Sequence, residues 1–241
     1  METRMRFHRA LLIGLMLMVL ALLLLVNLSV DLPRAKAQQP QAILKRSANG
    51  YQYFFPVVAK ACEEYCVGWA VGGAADGYGV ILRTDDSGVT WRRQGQVGQI
   101  PNVDLSGVSA VDAQNAWAVG GKTILRTRDG GATWEQQTLP AGLPADFELF
   151  KVKALNTNTA FVVGGSGVLL QTTDGATWIK MPTSPDLPLI QYSDVDAVDA
   201  THVWAVGGVI SGTDPCSPRC GLGIAFYNGT QWGWQGNNIT G

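Results

Sequence analysis

The chain has 241 residues, among them 29 Gly and 8 Trp, with only 15% charged. That balance suits many short strands joined by tight turns and excludes an ordinary helical bundle. A formal net charge of −1 lacks the basic footprint that nucleic-acid binding leaves, which excludes that class of partner.

Residues 1–37 read as an export signal. Arg4, Arg6 and Arg9 precede an unbroken apolar run from Ala10 to Val26, and Ala35 to Ala37 supply small residues for cleavage. The rival reading is an uncleaved membrane anchor, because the run approaches the length of a span. Both place the rest of the chain outside the cytoplasm by the positive-inside rule: periplasmic, extracellular, or on the outer face of the membrane. No cysteine precedes Cys62, which argues against a lipid anchor. Removing residues 1–37 takes five of the 18 basic and two of the 19 acidic residues, leaving a net charge of about −4. Residues 38–50 are polar and patternless and read as a linker.

The cysteines form two close pairs, Cys62 with Cys66 and Cys216 with Cys220. In an oxidising compartment such pairs are disulfide candidates. The spacing is loose for a zinc knuckle, so no metal is expected. The pairing itself does not follow from the spacing.

From about residue 51 a repeat takes over. "GWAVGG" at 68–73 returns as "AWAVGG" at 116–121, "AFVVGG" at 160–165 and "VWAVGG" at 203–208. Each copy is followed by a polar stretch closed by a tryptophan: "TDDSGVTW" at 84–91, "TRDGGATW" at 127–134 and the shorter "TTDGATW" at 172–178. A fourth stretch, around Asn228, Gly229 and Trp232, is degenerate. β-branched and aromatic residues at alternate positions, punctuated by Gly-Gly and Asp-Gly, predict four short strands per unit. In the second unit these fall near 103–112, 115–120, 122–127 and 133–138. A period of forty-odd residues holding four strands is the signature of a propeller blade, which buries its faces only against neighbouring blades.

The fold class is therefore all-β, a β-propeller of four-stranded blades at about 51–97, 103–140, 147–182 and 191–236. The first blade has a lead-in strand only if "YFFPVVAK" at 53–60 serves. Four blades are the lower end for a closed ring, so the chain is a small closed propeller or part of a larger one.

The polar stretch joins the third strand of a blade to the fourth. Asp and Thr side chains can bond the turn backbone, Gly permits positive φ, and the closing Trp buries a large apolar surface. It resembles the Asp-box, or BNR repeat, of sialidases and related propellers. Thr84, Asp86, Gly88, Thr90 and Trp91 fit that box, as do Thr127, Asp129, Gly131, Thr133 and Trp134; the third copy keeps Thr172, Asp174, Thr177 and Trp178. In that family the box is structural. The whole unit, a lead-in ending Val-Asp, then Trp-Ala-Val-Gly-Gly, Ile-Leu-Arg-Thr and the box, resembles the photosystem II stability and assembly factor propellers over about 65–235. The resemblance implies a non-catalytic, extracytoplasmic protein that binds membrane-protein subunits, in part through an arginine patch. Arg83 and Arg126 occupy the matching positions; Gln171 replaces the third arginine, and the fourth unit has none.

An enzyme would need a constellation that the chain does not spell. The sialidase resemblance would imply an arginine triad, a tyrosine nucleophile with a glutamate, and an acid aspartate. Arg83 and Arg126 are repeat elements, the glutamates beyond residue 37 are Glu63, Glu64, Glu135 and Glu148, and the box aspartates are accounted for by turns. His202 is the only histidine past residue 37 and precedes a strand, which fits neither a nucleophilic triad nor a histidine metal site. No cofactor is expected, and a sialidase-like or glycan-binding propeller is the alternative to a protein-binding one. Specificity belongs to loops that differ between blades. These are 74–79 with Asp76 and Tyr78, the turn at Lys122, Ser166, and the insertion 209–223 with Arg219 between Cys216 and Cys220.

Overall fold

The computed structural model describes residues 66–95, 98–187, 190–208 and 223–236, together with three two-residue strands nearer the N-terminus. The signal segment lies outside the described residues, as do Cys62, Cys216, Arg219 and Cys220. The described strands fall in one compact unit, Gln39–Gly241.

Strands β1 (Arg46–Ser47) and β2 (Gly50–Tyr51) pair antiparallel, so the end of the segment read as a linker folds back on itself. Four four-stranded antiparallel sheets follow, each a meander in chain order. The first holds β3 (Phe54–Phe55), β4 (Gly68–Ala75), β5 (Tyr78–Thr84) and β6 (Arg92–Arg93). The second holds β7 (Gly107–Ala110), β8 (Ala116–Gly120), β9 (Thr123–Thr127) and β10 (Glu135–Gln136). The third holds β11 (Leu149–Ala154), β12 (Ala160–Gly164), β13 (Leu169–Thr172) and β14 (Ile179–Lys180). The fourth holds β15 (Gln191–Asp199), β16 (His202–Gly208), β17 (Gly223–Tyr227) and β18 (Trp232–Gly236). No helix occurs among the described residues. This is the blade architecture of a β-propeller.

Two residues of "YFFPVVAK" supply the lead-in of the first blade, with Phe55 opposite Val71. The outer strands of the first three blades are shorter than the sequence predicts; in the second, 135–136 pair where 133–138 is expected. The box turn consumes Thr133 and Trp134, and beyond the strand only Gln137 adds a ladder bond, to Ile124 O at 2.8 Å. Such brief outer strands limit edge-to-edge pairing with other chains.

The core lies between blades. Trp69, Val71 and Ile81 of the first blade pack on Val108, Ala110, Ala116, Ala118, Leu125 and Trp134 of the second. Trp117, Val119 and Ile124 in turn meet Leu149, Val152, Ala160, Val162, Leu170 and Trp178 of the third. Phe161, Val163 and Leu169 meet Tyr192, Val195, Val203, Ala205 and Trp232 of the fourth. Each blade thus offers a face of bulky residues to the next and a face of smaller ones, closed by the box tryptophan, to the previous. Period-two alternation in the repeat writes both faces at once. Polar groups of the inner strands bridge the same boundaries: Ser106 Oγ donates to Leu149 O at 2.8 Å, and Ser109 Oγ accepts from Ala154 N at 3.0 Å.

Candidate functional site

A four-stranded meander puts its turns on two edges. The first-to-second and third-to-fourth turns share one edge, here the box edge. The second-to-third turns and the chain passing to the next blade share the other, the connector edge.

On the box edge, the carboxylates are engaged by their own turns. Asp86 accepts from Thr90 N at 2.8 Å, Thr90 Oγ1 at 2.6 Å and Thr84 Oγ1 at 2.7 Å, while Gly88 N donates to Thr84 Oγ1 at 2.9 Å. Asp129 repeats this with Thr133 N at 2.9 Å, Thr133 Oγ1 at 2.6 Å and Thr127 Oγ1 at 2.8 Å. In the shorter third box, Asp174 accepts from Ala176 N and Thr177 N at 2.8 and 2.7 Å. The fourth turn keeps only the backbone bonds of Asn228, from Thr230 N and Gln231 N at 3.0 and 3.1 Å.

These bonds fix the ionised form. The Thr90 hydroxyl first, then the Thr90 amide and the Thr84 hydroxyl, bring Asp86 down to about 2. For Asp129, burial pushes the other way and the Thr133 and Thr127 bonds outweigh it, so the carboxyl also sits low. The Thr177 and Ala176 amides hold Asp174 well below the usual range. The neighbouring turns use the same device: Asp112 accepts from the Gln114 and Asn115 amides at 2.8 and 2.7 Å, and Asp199 from Thr201 N and His202 N at 2.7 and 2.9 Å. His202 Nδ1 lies 2.9 Å from Asp199 at this strand end.

The two repeat arginines do not form an open patch. Arg126 is 3% exposed. Its guanidinium lies over the Trp117 ring, 4.4 Å from the centroid, and donates to the carbonyls of Gly175 and Thr157 in the next blade. Neither a partner-binding surface nor a solvated strand edge describes it: the side chain is consumed in joining the second blade to the third. Arg83 lies 5.3 Å from the Trp69 centroid, pairs with Asp85, and approaches Gly130 in the second box. Arg92 shares Asp85 at 3.5 Å, and Arg128, which the sequence reading passed over, meets Glu135 at 2.7 Å. Each of these three surface-side arginines has a carboxylate partner.

The connector edge holds the other candidates. Asp76 and Gly77, both at positive φ, form a tight Asp-Gly turn between β4 and β5. Arg93 stacks over Tyr78 at 3.7 Å from its centroid and donates to Asp76 at 2.8 Å and to Ala75 O at 2.6 Å. Lys122 donates to Ala145 O at 2.7 Å and sits 5.5 Å from the Phe147 centroid. Ser166 Oγ donates to Asp146 O at 2.5 Å, and Gly167 N to Ile190 O at 2.9 Å. Each hairpin tip is thereby tied to the loop that leads into the following blade. The result is a braced rim of mixed charge, with Asp76, Lys122, Asp146 and Glu148 exposed. Tyr78 and Lys122 thus share one edge and Arg83 belongs to the other, so the predicted binding residues do not form a single site. Arg93 is absent from the sequence reading because it follows the box as an ordinary outer-strand residue. Cys66 stands near the box edge, its amide donating to Ser87 Oγ at 2.9 Å. Among the described residues no group of His, Cys, Asp and Glu gathers as a metal site.

Comparison with known proteins fits this architecture. No curated protein matches the chain. Among solved structures, "YCF48 bound to D1 peptide" is 18% identical with a TM-score of 0.53, covering 82% of this chain and 62% of that one. "YCF48 from Cyanidioschyzon merolae" is 21% identical with a TM-score of 0.55, covering 78% and 57%. The GH74 enzyme of Niastella koreensis is 15% identical with a TM-score of 0.51, covering 72% of this chain but 29% of its own. The chain thus spans about three fifths of the length of the YCF48 structures it matches. Over residues 102–214 it matches the family model described as photosynthesis system II assembly factor YCF48. The chain is a propeller of the photosystem II assembly factor-like repeat family.

Proposed function

We propose that this protein is a non-catalytic, extracytoplasmic binding scaffold that uses its connector edge to hold an exposed segment of a membrane-protein subunit. The observation that carries the reading is the fold shared, over 82% of the chain, with a YCF48 structure bound to a D1 peptide. Support comes from the rim itself. Tyr78 under Arg93 and Phe147 beside Lys122 pair aromatic surface with fixed cations, a chemistry suited to peptide side chains and carbonyls. The export signal in residues 1–37 supplies the compartment in which such a segment is displayed.

The box aspartates also favour binding over hydrolysis. A glycosidase needs a carboxylic acid whose pKa is raised so that it can protonate the leaving group. Among the described residues, every aspartate displaced from its ordinary value is displaced downward, by hydrogen bonds or by a lysine. The test is capture of membrane proteins from detergent extracts of the native host on the immobilised full chain. Retention of an integral-membrane subunit, reduced several-fold by combined Tyr78→Ala and Lys122→Glu substitutions, is expected. Hydrolysis of a fluorogenic sialoside by the pure protein, or capture unaffected by the substitutions, would overturn the reading.

A further inference from the structure

The bulky face of each of the first three blades is buried by the blade that follows, and the fourth blade carries the same face uncovered. Trp204, Val206 and Ile224 are 38%, 42% and 37% exposed, whereas their repeat counterparts Trp117, Val119 and Ile124 are 0% exposed. At the arginine position stands Phe226, stacked on Trp204 at 5.1 Å between centroids. Along the inner strand of that face, Asp194 and Asp196 turn back to Lys151 and Lys153 of the third blade. Their charge is neutralised within the molecule, and the central strands of the face are apolar.

The first blade shows the complementary deficit. Ala70, Leu82 and Trp91 are half-buried, while their counterparts Ala118, Leu125 and Trp134 are buried against a preceding blade. One molecule therefore carries, at its two ends, the two halves of the contact that it makes three times internally. A foreign ligand would account for one of these faces; a second copy of the same chain accounts for both. We propose that the fourth blade of one copy docks on the first blade of another, head to tail, so that two chains together close eight blades. Eight lies within the range of closed propellers, and a twofold closure leaves neither end open.

The test is the mass of the full chain in mild detergent, by light scattering coupled to size exclusion. The expected protein mass is twice that of the 25.8 kDa chain. Val206→Asp and Leu82→Asp each spoil one end and should each give a single-chain mass. Circular dichroism checks that both variants fold. Mixing the two variants leaves one intact junction and should restore a two-chain species that neither forms alone. A full chain that runs as a monomer at the highest concentration reached would overturn the proposal and leave the face to a different occupant. A dimer indifferent to Val206→Asp would overturn it as well. Both readouts are independent of membrane-protein capture, so this proposal and the binding reading can fail separately.

Discussion

Trp134, the last residue of the second Asp-box, meets Trp69 of the preceding blade edge to face, with centroids 5.7 Å apart and planes at 90°. The box is therefore both a turn fastener and part of the joint between blades. Its glycine shows the same double duty: Gly131 adopts φ +87, and a Cβ there would lie 2.8 Å from the Trp69 ring. Trp178 packs likewise among residues that include Trp117.

Gly131→Ala should cost about 3 kcal/mol, from left-handed strain together with displacement of Trp69. Gly88 has nearly the same φ of +89, but a Cβ there finds nothing closer than 3.9 Å. Gly88→Ala should therefore cost only the strain, about 1 kcal/mol. Urea titration of the two variants separates the turn contribution from the joint contribution; equal losses would refute the joint.

Arg126→Ala removes a guanidinium that stacks on Trp117 and bonds two carbonyls of the next blade. The expected loss is about 3 kcal/mol, because buried acceptors are left unpaired as well as a ring uncovered. Arg126→Lys keeps the charge without the fork and should recover about half of that. Thermal melts would show it. Arg83→Ala, at the partly exposed and carboxylate-paired copy, should lose less.

Asp129→Ala should lower stability by about 1 kcal/mol, as expected for a local side-chain-to-backbone network, and leave partner capture unchanged. A variant stable as the parent but deficient in capture would move the box from scaffold to site.

Acid should loosen the protein through the same turns. The folded-state values of Asp86, Asp129 and Asp174 lie below the ordinary 3.8. Their contribution is therefore fully present above that value and is lost as pH falls through the folded values, for Asp86 between about 4 and about 2. Denaturant midpoints measured from pH 7 down to pH 2 should fall in that window, and Asp86→Asn should flatten part of the drop.

The strands and boxes were legible in the sequence because each is written locally: period two for the strand, and Thr, Asp, Gly and Trp at fixed offsets for the turn. The joints were not. Arg126 occupies the same place in its repeat as Arg83, and nothing local says that its guanidinium ends on Gly175, far along the chain in the next blade. Trp204 is harder still. Its neighbours spell the same "WAVGG" as those of Trp69 and Trp117, yet it is exposed, since burial of that face depends on whatever comes next. The separation of Tyr78 and Lys122 from Arg83 follows from turn parity in a meander, a topological fact rather than a compositional one.

The reach of each arginine into the following box gives the order of blades a direction. If the second repeat were excised, Arg83 would come to face the third box, with Gly175 and Thr157 ready to accept from it as they do from Arg126. If the third were excised, Arg126 would face the Asn228 turn, where Gly229 already lies against Thr201 and no box remains. Gln171, which stands before that turn in the intact chain, makes no such demand. A repeat protein built this way can shed or gain modules on its box-bearing side and resists the same edit one unit later, so its history of duplication should be read from where the arginines stop.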